Sequence, residues 1–268
     1  MRIAFLGGGN MAGALIGGLI AKGTDAGSIC VIEVSPAARA RLAARYPVHI
    51  AAAPDAATQG SEVLLLAVKP QDAKAALGSI SLGKQLVISI AAGLTLASIA
   101  RWLGGHRKLV RCMPNTPALI GAGIAALYAL PEVDAAERAK AEEILSAVGE
   151  VVWVEEERLL DPVTAVSGSG PAYVFWFIEQ LARSGEALGL PADVSKKLAL
   201  HTVLGAAKLA ASSNEPPEVL RKNVTSKGGT TEAALKVFDE EKLAERFKRA
   251  LEAASRRGAQ LGKELGGD

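Results

Sequence analysis

Met1-Arg2-Ile3-Ala4-Phe5-Leu6-Gly7-Gly8-Gly9-Asn10-Met11-Ala12 decides the fold. An apolar run of strand length ends in three glycines, and a small-residue helical segment, Met11–Lys22, follows at once. Gly7-Gly8-Gly9-Asn10-Met11-Ala12 fits G-x-G-x-x-A in the strand-turn-helix context that gives the pattern its meaning. The first glycine permits the tight turn and the second lets a pyrophosphate approach the backbone. Ala12 keeps the helix close to the sheet, and the helix N-terminus faces the phosphates. Gly7, Gly8, Gly9, Asn10, Met11 and Ala12 are thus candidate cofactor-binding residues; a glycine-rich turn without a ligand is the plain alternative.

Working outward, strand and helix alternate. Strands are expected at Arg2–Leu6, Ser28–Val34, near Val48–Ala51, Glu62–Val68, Leu86–Ala91 and Leu109–Met113, with helices at Ala37–Arg45 and Leu96–Leu103. Strands separated by helices imply a parallel sheet, and the core of Glu62–Val68 reads as buried on both faces. Ile124–Leu127 and Val151–Val154 are expected as edge strands around an Ala135–Val148 helix. Beyond about Asp161 only helices are expected: Pro171–Leu188, Val194–Ser212, Pro217–Asn223, Glu232–Phe238 and Lys242–Leu265. The organisation expected is an α/β domain over 1–160 and an all-helical domain over 161–268.

Composition narrows the function classes. Lysine and arginine number 30 against 28 acidic residues, so the net charge of +2 leaves no footprint for nucleic acid. No stretch has the length of uncharged apolar residues that a membrane span needs, and no secretory signal pattern is read at the N-terminus. Cys30 and Cys112 fall in expected strands without a C-x-x-C partner, which reads as buried reduced thiols in a cytoplasmic protein. His49, His106 and His201 are too far apart in sequence for a local metal motif, so no metal is expected.

The cofactor reading extends to three more segments. Glu33 lies 24 residues after Gly9, close to the offset of an acidic residue that hydrogen-bonds the adenosine ribose. A carboxylate there would repel a 2′-phosphate, which tilts the expectation toward NADH; Ser35, Arg39 and Arg41 follow closely and leave NADPH open. Glu33, Val34 and Ser35 form this candidate ribose corner. Ala67-Val68-Lys69-Pro70 and Ala91-Ala92-Gly93 each end a strand on the sheet edge where such proteins bind ligands, which makes Ala67, Val68, Lys69, Pro70, Ala92 and Gly93 candidates along the nicotinamide half. Lys69 also fits an ordinary exposed strand end.

Three further segments carry chemistry. Arg111-Cys112-Met113-Pro114-Asn115-Thr116-Pro117 ends a strand with Asn115 held between prolines. Ser167-Gly168-Ser169-Gly170-Pro171-Ala172-Tyr173 opens the helical half, with Pro171 suited to the first helical position. Thr225-Ser226-Lys227-Gly228-Gly229-Thr230-Thr231 sets four hydroxyls, two glycines and a cation before a helix start. Bare amides at a helix N-terminus, backed by hydroxyls, suit a small carboxylate; a helix-helix loop capped through Thr230 or Thr231 suits the same residues.

Together with the glycine-rich loop, these segments resemble the pyrroline-5-carboxylate reductase family from the first strand to about Phe238. The resemblance implies a Rossmann-like N-terminal domain with a predominantly parallel sheet and an all-α C-terminal dimerisation domain. It also implies reduction of the cyclic imine pyrroline-5-carboxylate to L-proline, in a homodimer that some members build into a larger ring. Carried onto this chain, it puts Gly228, Gly229, Thr230 and Thr231 around the substrate carboxylate and ring nitrogen. Ser167 and Ser169 would line the same pocket, and Asn115 would sit near the nicotinamide. One departure stands out: the family usually has proline where this chain has Lys227.

The chemistry agrees with that resemblance. An alcohol dehydrogenase removes a hydroxyl proton and usually presents a histidine or lysine base. Apart from Lys69 and Lys227, the segments expected around the nicotinamide offer neither. A cyclic imine arrives already protonated from water, so positioning dominates. One hydroxyl beside the nitrogen suffices, and Thr231 is the candidate. Two rival classes remain, a β-hydroxyacid dehydrogenase and a non-enzymatic NAD(P)-binding regulator. The first uses a lysine on the opening helix of its second domain, and Pro171–Leu188 contains none. The second has no need of a hydroxyl-glycine loop.

Overall fold

A computed structural model describes residues 1–267. Four strands are buried along their whole length: β1 (Ile3–Leu6), β2 (Ile29–Ile32), β4 (Val63–Leu66) and β5 (Leu86–Ser89). Continuous burial is what a strand covered on both faces requires, and it explains why these runs are apolar without alternation. Ile3 and Phe5 face one core with α1 (Asn10–Ala21), while Ala4 and Leu6 face a second with α4 (Ala73–Leu77) and α5 (Leu96–Trp102). Phe5 is wholly buried, and burial of such a ring stabilises by about 1.5–3 kcal/mol.

With β3 (His49–Ala51), β6 (Leu109–Met113), β7 (Gly123–Ala129) and β8 (Gly149–Trp153), the strands form one eight-stranded sheet in the order β3-β2-β1-β4-β5-β6-β7-β8. Every pairing is parallel except β6 with β7. Here the structure corrects an expectation: β7 is no edge strand, since β6 and β8 flank it. Residues 114–122 join β6 to β7 through one short 3-10 turn, too little chain for a parallel crossover, so the strand must return antiparallel. Gly149 allows the last pair to form, because a Cβ there would stand 1.9 Å from the Gly123 carbonyl oxygen.

Helix starts follow the local chemistry. Ser35 caps α2 (Pro36–Arg45), with proline at the helix start. Asp55 caps α3 (Ala56–Gln59) through a capping box, and Asp134 with Glu137 does the same for α6 (Ala135–Ser146). The short α3 and α4 were not expected from periodicity, which a single turn cannot display.

By their contacts the residues divide into two compact units, Met1–Ser169 together with the chain from Glu252 on, and Gly170–Leu251. A single cut near residue 160 is therefore not the division that the contacts make. The later boundary has a local reason. Helix begins already at α7 (Leu160–Val163) and continues through a π turn, Thr164–Gly168, before α8 (Gly170–Ala187). Gly170, not Pro171, is the first residue of α8.

The second unit is helical throughout, with α8, α9 (Ala192–Ser212), α10 (Pro217–Asn223), α11 (Thr230–Glu240) and the first part of α12 (Leu243–Gly266). α8 and α9 pack tightly where Gly185 meets Ser195, whose buried hydroxyl donates to the Ala182 carbonyl at 2.6 Å. The last turns of α12 belong to the first unit. There a Cβ on Gly262 would come within 2.7 Å of the Gly93 carbonyl oxygen. No helix among the described residues is long and apolar enough to cross a membrane.

Candidate active site

The strand order reverses between β1 and β4: the chain runs from β1 out to β2 and β3, then returns to β4 on the other side. In an open α/β sheet the crevice beyond the strand ends at such a point takes ligands. A cleft of about 660 Å³ lies there. Gly7, Gly8, Gly9, Glu33, Val34, Ala67, Val68 and Lys69 all line it.

The glycines have separate reasons to be glycine. Gly7 sits at φ +102°, and a Cβ would lie 2.8 Å from the backbone carbon and oxygen of Ala67. At Gly8 a Cβ would be 2.4 Å from Leu42. Around Gly9 the space is open to 4 Å. Gly9 is also the N-cap of α1 and carries no side-chain cap, so no side chain competes for the first amides of the helix. A phosphate needs just such open space in front of uncapped amides, so the cradle fits a dinucleotide pyrophosphate. Ala12 is buried and serves packing between helix and sheet. Asn10 is exposed beside the loop and Met11 is half-buried, both outside the cleft lining.

Glu33 does more than await a ribose. Its carboxylate accepts from the Gly8 N–H at 2.8 Å and from the Ser35 N–H at 2.7 Å. It thereby ties the glycine loop to the end of β2. Arg39 donates to the Glu33 and Val34 carbonyls at 2.8 and 2.9 Å, so its guanidinium also stands at this corner. Two carboxylate lone-pair sites remain for further donors. Sequence reasoning missed the opposite wall, Ala52, Ala53, Pro54, Asp72, Ala75, Ala76 and Ser79. Small residues there keep the cleft wide, but a run of alanines carries no motif.

Ser35, Pro70, Ala92, Gly93 and Asn115 lie outside this cleft lining. Gly93, at φ +81°, is buried against Leu261 and Gly262, which leaves Ala92 as the exposed residue of that turn. Asn115 instead builds a second corner of the same unit. Its amide donates to the Ser167 carbonyl at 3.2 Å, and its side-chain oxygen accepts from the Ile124 N–H at 3.0 Å. Ser167 and Ser169 are half-buried on or beside the π turn, where the Ser169 N–H reaches back to the Thr164 carbonyl at 2.8 Å. Isolated π turns inside helices concentrate at functional sites. A Cβ on Gly168 would meet Met113 at 2.5 Å, so this turn is fitted against β6.

The Thr225–Thr231 run lies in the helical unit. Gly228 takes φ +74°, and Gly229 has no room for a Cβ because Ser226 Oγ would be 2.4 Å away. The alternative of a cap through Thr230 or Thr231 does not hold: Gly229 is the N-cap of α11 without a side-chain bond, and both threonines are already helical. Glu232 accepts from the Gly228 N–H at 2.7 Å. Thr231 is half-buried, whereas Lys227, Gly228 and Thr230 are exposed.

Both thiols are buried and free. Burial, with a smaller push from Asp55, raises the Cys30 thiol to about 11, and burial raises Cys112 further. Asp55 is held below the ordinary carboxylate range, first by the hydrogen bond with His49 at 2.6 Å and then by the Thr58 N–H.

Comparisons with known proteins agree with this architecture. The family model for pyrroline-5-carboxylate reductase dimerisation matches residues 157–261, and that for NADP oxidoreductase, coenzyme F420-dependent, matches 2–93. A pyrroline-5-carboxylate reductase of Pseudomonas aeruginosa is 46% identical over 99% of this chain and 98% of its own. One of Synechocystis is 45% identical over 98% and 99%. Among solved structures, a pyrroline-5-carboxylate reductase from Coxiella burnetii superposes with a TM-score of 0.92 at 41% identity, covering 98% of both chains. One from Plasmodium falciparum, solved with NADP bound, superposes at 0.85 and 28% identity, again over 98% of both. Kinship over nearly the whole chain, with the cleft and the three motif segments in place, makes this chain a member of the pyrroline-5-carboxylate reductase family.

Proposed function

We propose that the protein reduces L-1-pyrroline-5-carboxylate to L-proline, the last step of proline biosynthesis, with NADH or NADPH as the hydride source. The observation that carries this reading is a glycine-cradled cleft and the Asn115–Ser167 corner at strand ends of one sheet. The cofactor, when bound, supplies the hydride. The amides at the start of α1 hold its pyrophosphate, and Glu33 both braces the loop and receives the ribose hydroxyls. That carboxylate tilts the preference toward NADH, while Arg39 beside it keeps NADPH in play.

Gly228, Gly229, Thr230 and Thr231 hold the substrate carboxylate and ring nitrogen. The amide of Gly228, occupied by Glu232 in the free chain, is the sort of donor a carboxylate takes over. Ser167 and Ser169 offer their hydroxyls to the imine, and Asn115 lies toward the nicotinamide. The imine arrives protonated, so the chain needs only to orient it and hydrogen-bond the nitrogen as it becomes an amine; Thr231 does this through its hydroxyl. Lys227 is exposed and can approach the carboxylate, in which case Lys227→Ala raises the imine KM while kcat holds.

The protein works as a homodimer, the unit that some members of the family build into a larger ring. Phe175, Trp176 and Phe177 are 65%, 60% and 49% exposed on α8, an apolar run that a lone chain would leave in water. Its place is the cytoplasm, where two buried free thiols stay reduced. NAD(P)H oxidation with pyrroline-5-carboxylate, beside a β-hydroxyacid control run in reverse, tests the reading. Turnover with the hydroxyacid alone refutes it.

A further inference from the structure

Arg111 is a charged residue on an otherwise apolar strand. Its neighbours Val110 and Cys112 enter one core, while the Arg111 side chain, 6% exposed, lies on the other side of the strand. Arg111 Nη1 donates to Glu157 Oε1 at 3.0 Å, and Nη2 stands 3.7 Å from Asp161 Oδ1. The same Glu157 oxygen accepts from the Leu96 N–H at 2.7 Å, at the start of α5. Gly258 of the terminal helix sits against Asp161, where a Cβ would be 3.7 Å from Oδ1.

For stability alone this arrangement is a poor choice. Charges taken out of water cost about as much as they return, and apolar residues of similar volume often serve as well or better. What an ion cluster provides is direction. Glu157, in the 3-10 turn before α7, and Asp161, within α7, lie four residues apart, and a planar guanidinium between them sets the rotation of that segment about its axis.

Both chain segments then continue into the candidate site. Four residues after Arg111 comes Asn115, and six after Asp161 comes Ser167. There they are joined again, by the Asn115 amide on the Ser167 carbonyl at 3.2 Å. A frame tied at both ends carries the π turn between its ties.

We propose that Arg111, through Glu157 and Asp161, is a positioning residue that holds the Ser167–Ser169 turn against Asn115 in the register the imine requires. The proposal rests on the reading of Ser167 and Ser169 as imine-pocket residues. Arg111 touches neither substrate nor cofactor, and its effect is transmitted through the rotation of α7 and the π turn.

The test uses the full-length enzyme in three forms: Arg111→Met, Arg111→Lys and Glu157→Gln. Displacing a pocket wall by about 1 Å costs up to about a hundredfold, so Arg111→Met is expected to raise the imine KM between about tenfold and a hundredfold. The KM for NAD(P)H is expected to stay within about twofold, because the glycine cradle lies outside the frame. Arg111→Lys restores one ion pair and recovers part of the imine KM. A rise of both KM values by similar factors, or a fall in kcat alone with both KM values unchanged, overturns the proposal and makes the cluster purely structural. If Arg111→Met does not fold, Glu157→Gln decides, since it keeps an acceptor for Leu96 and removes only the charge. It is expected to raise the imine KM about threefold to tenfold, and an unchanged value overturns the proposal.

A second readout needs no turnover. Hydrogen exchange in peptides covering 160–170 is expected to quicken in Arg111→Met while peptides covering 3–32 hold their rates. Equal rates at 160–170 overturn the proposal. Wild-type inactivity toward the imine would instead refute the assigned substrate and leave the exchange result to judge the frame.

Discussion

Replacing Glu33 separates two duties that one carboxylate carries. Glu33→Gln removes the charge and keeps one carbonyl oxygen for either Gly8 or Ser35; Glu33→Ala removes both bonds, at 2.8 and 2.7 Å. A unit charge on a 2′-phosphate about 4 Å from the carboxylate would cost about 1 kcal/mol in water-like surroundings and about 4 kcal/mol at a protein surface. Glu33 is half-buried, so about 1.5–3 kcal/mol is the reasonable span, or about 10- to 160-fold in the ratio of kcat/KM for NADPH to that for NADH. Glu33→Gln is expected to shift the ratio toward NADPH by that factor and to lose about 1 kcal/mol of stability, because one of the two amides is left without its acceptor. Glu33→Ala should shift it similarly and also lower the unfolding free energy by about 1–3 kcal/mol, because the Gly8 and Ser35 amides lose their acceptor. Initial rates with each cofactor at saturating imine, together with urea unfolding, measure both effects. A ratio unmoved within twofold in both variants refutes the discriminating role, whatever the unfolding curves show.

Four other outcomes follow from the same geometry. Thr231→Ala should lower kcat/KM about 5- to 30-fold, the worth of one hydrogen bond at about 1–2 kcal/mol, and an unchanged value eliminates Thr231 as the partner of the imine nitrogen. Gly7→Ala should cost at least about 2 kcal/mol of stability and weaken cofactor binding, since a side chain at φ +102° is strained and would meet Ala67; thermal unfolding and cofactor titration read the two. Asp55, whose carboxyl is depressed in the fold, contributes stability above the ordinary carboxylate range that is lost as pH falls through its folded value. Asp55→Asn should therefore flatten the acid limb of stability against pH, and an unaltered limb below about pH 4 refutes the assignment. Phe177→Asp should leave a monomer in sedimentation at low micromolar concentration, against an oligomer for wild type.

The sheet was legible because its strands are buried on both faces and so carry unbroken apolar runs, as in Ile3–Leu6 and Val63–Leu66. Gly7 was legible because its φ and the nearby Ala67 backbone leave no other residue a place. The reversal at β7 is not legible in the strand itself, since it depends on the shortness of a loop and not on any residue in the strand. Nor is the π turn, whose backbone pattern has no composition of its own and is set by contacts such as Gly168 on Met113. Glu33 stands out in the sequence by its offset from Gly9, but its bond to the Gly8 amide needs the fold to bring residues 25 apart together. Arg111 shows the same limit: within the sequence it is one cation in a strand, and only the tertiary structure supplies Glu157 and Asp161.

The central claim is imine reduction, and the direct measurement is product formed per cofactor consumed. Purified protein incubated with pyrroline-5-carboxylate and NADH, or NADPH, should yield one L-proline for each cofactor oxidised, resolved from D-proline by chiral chromatography. Cofactor oxidation without proline, or proline absent with both cofactors while a β-hydroxyacid turns over, would contradict the account.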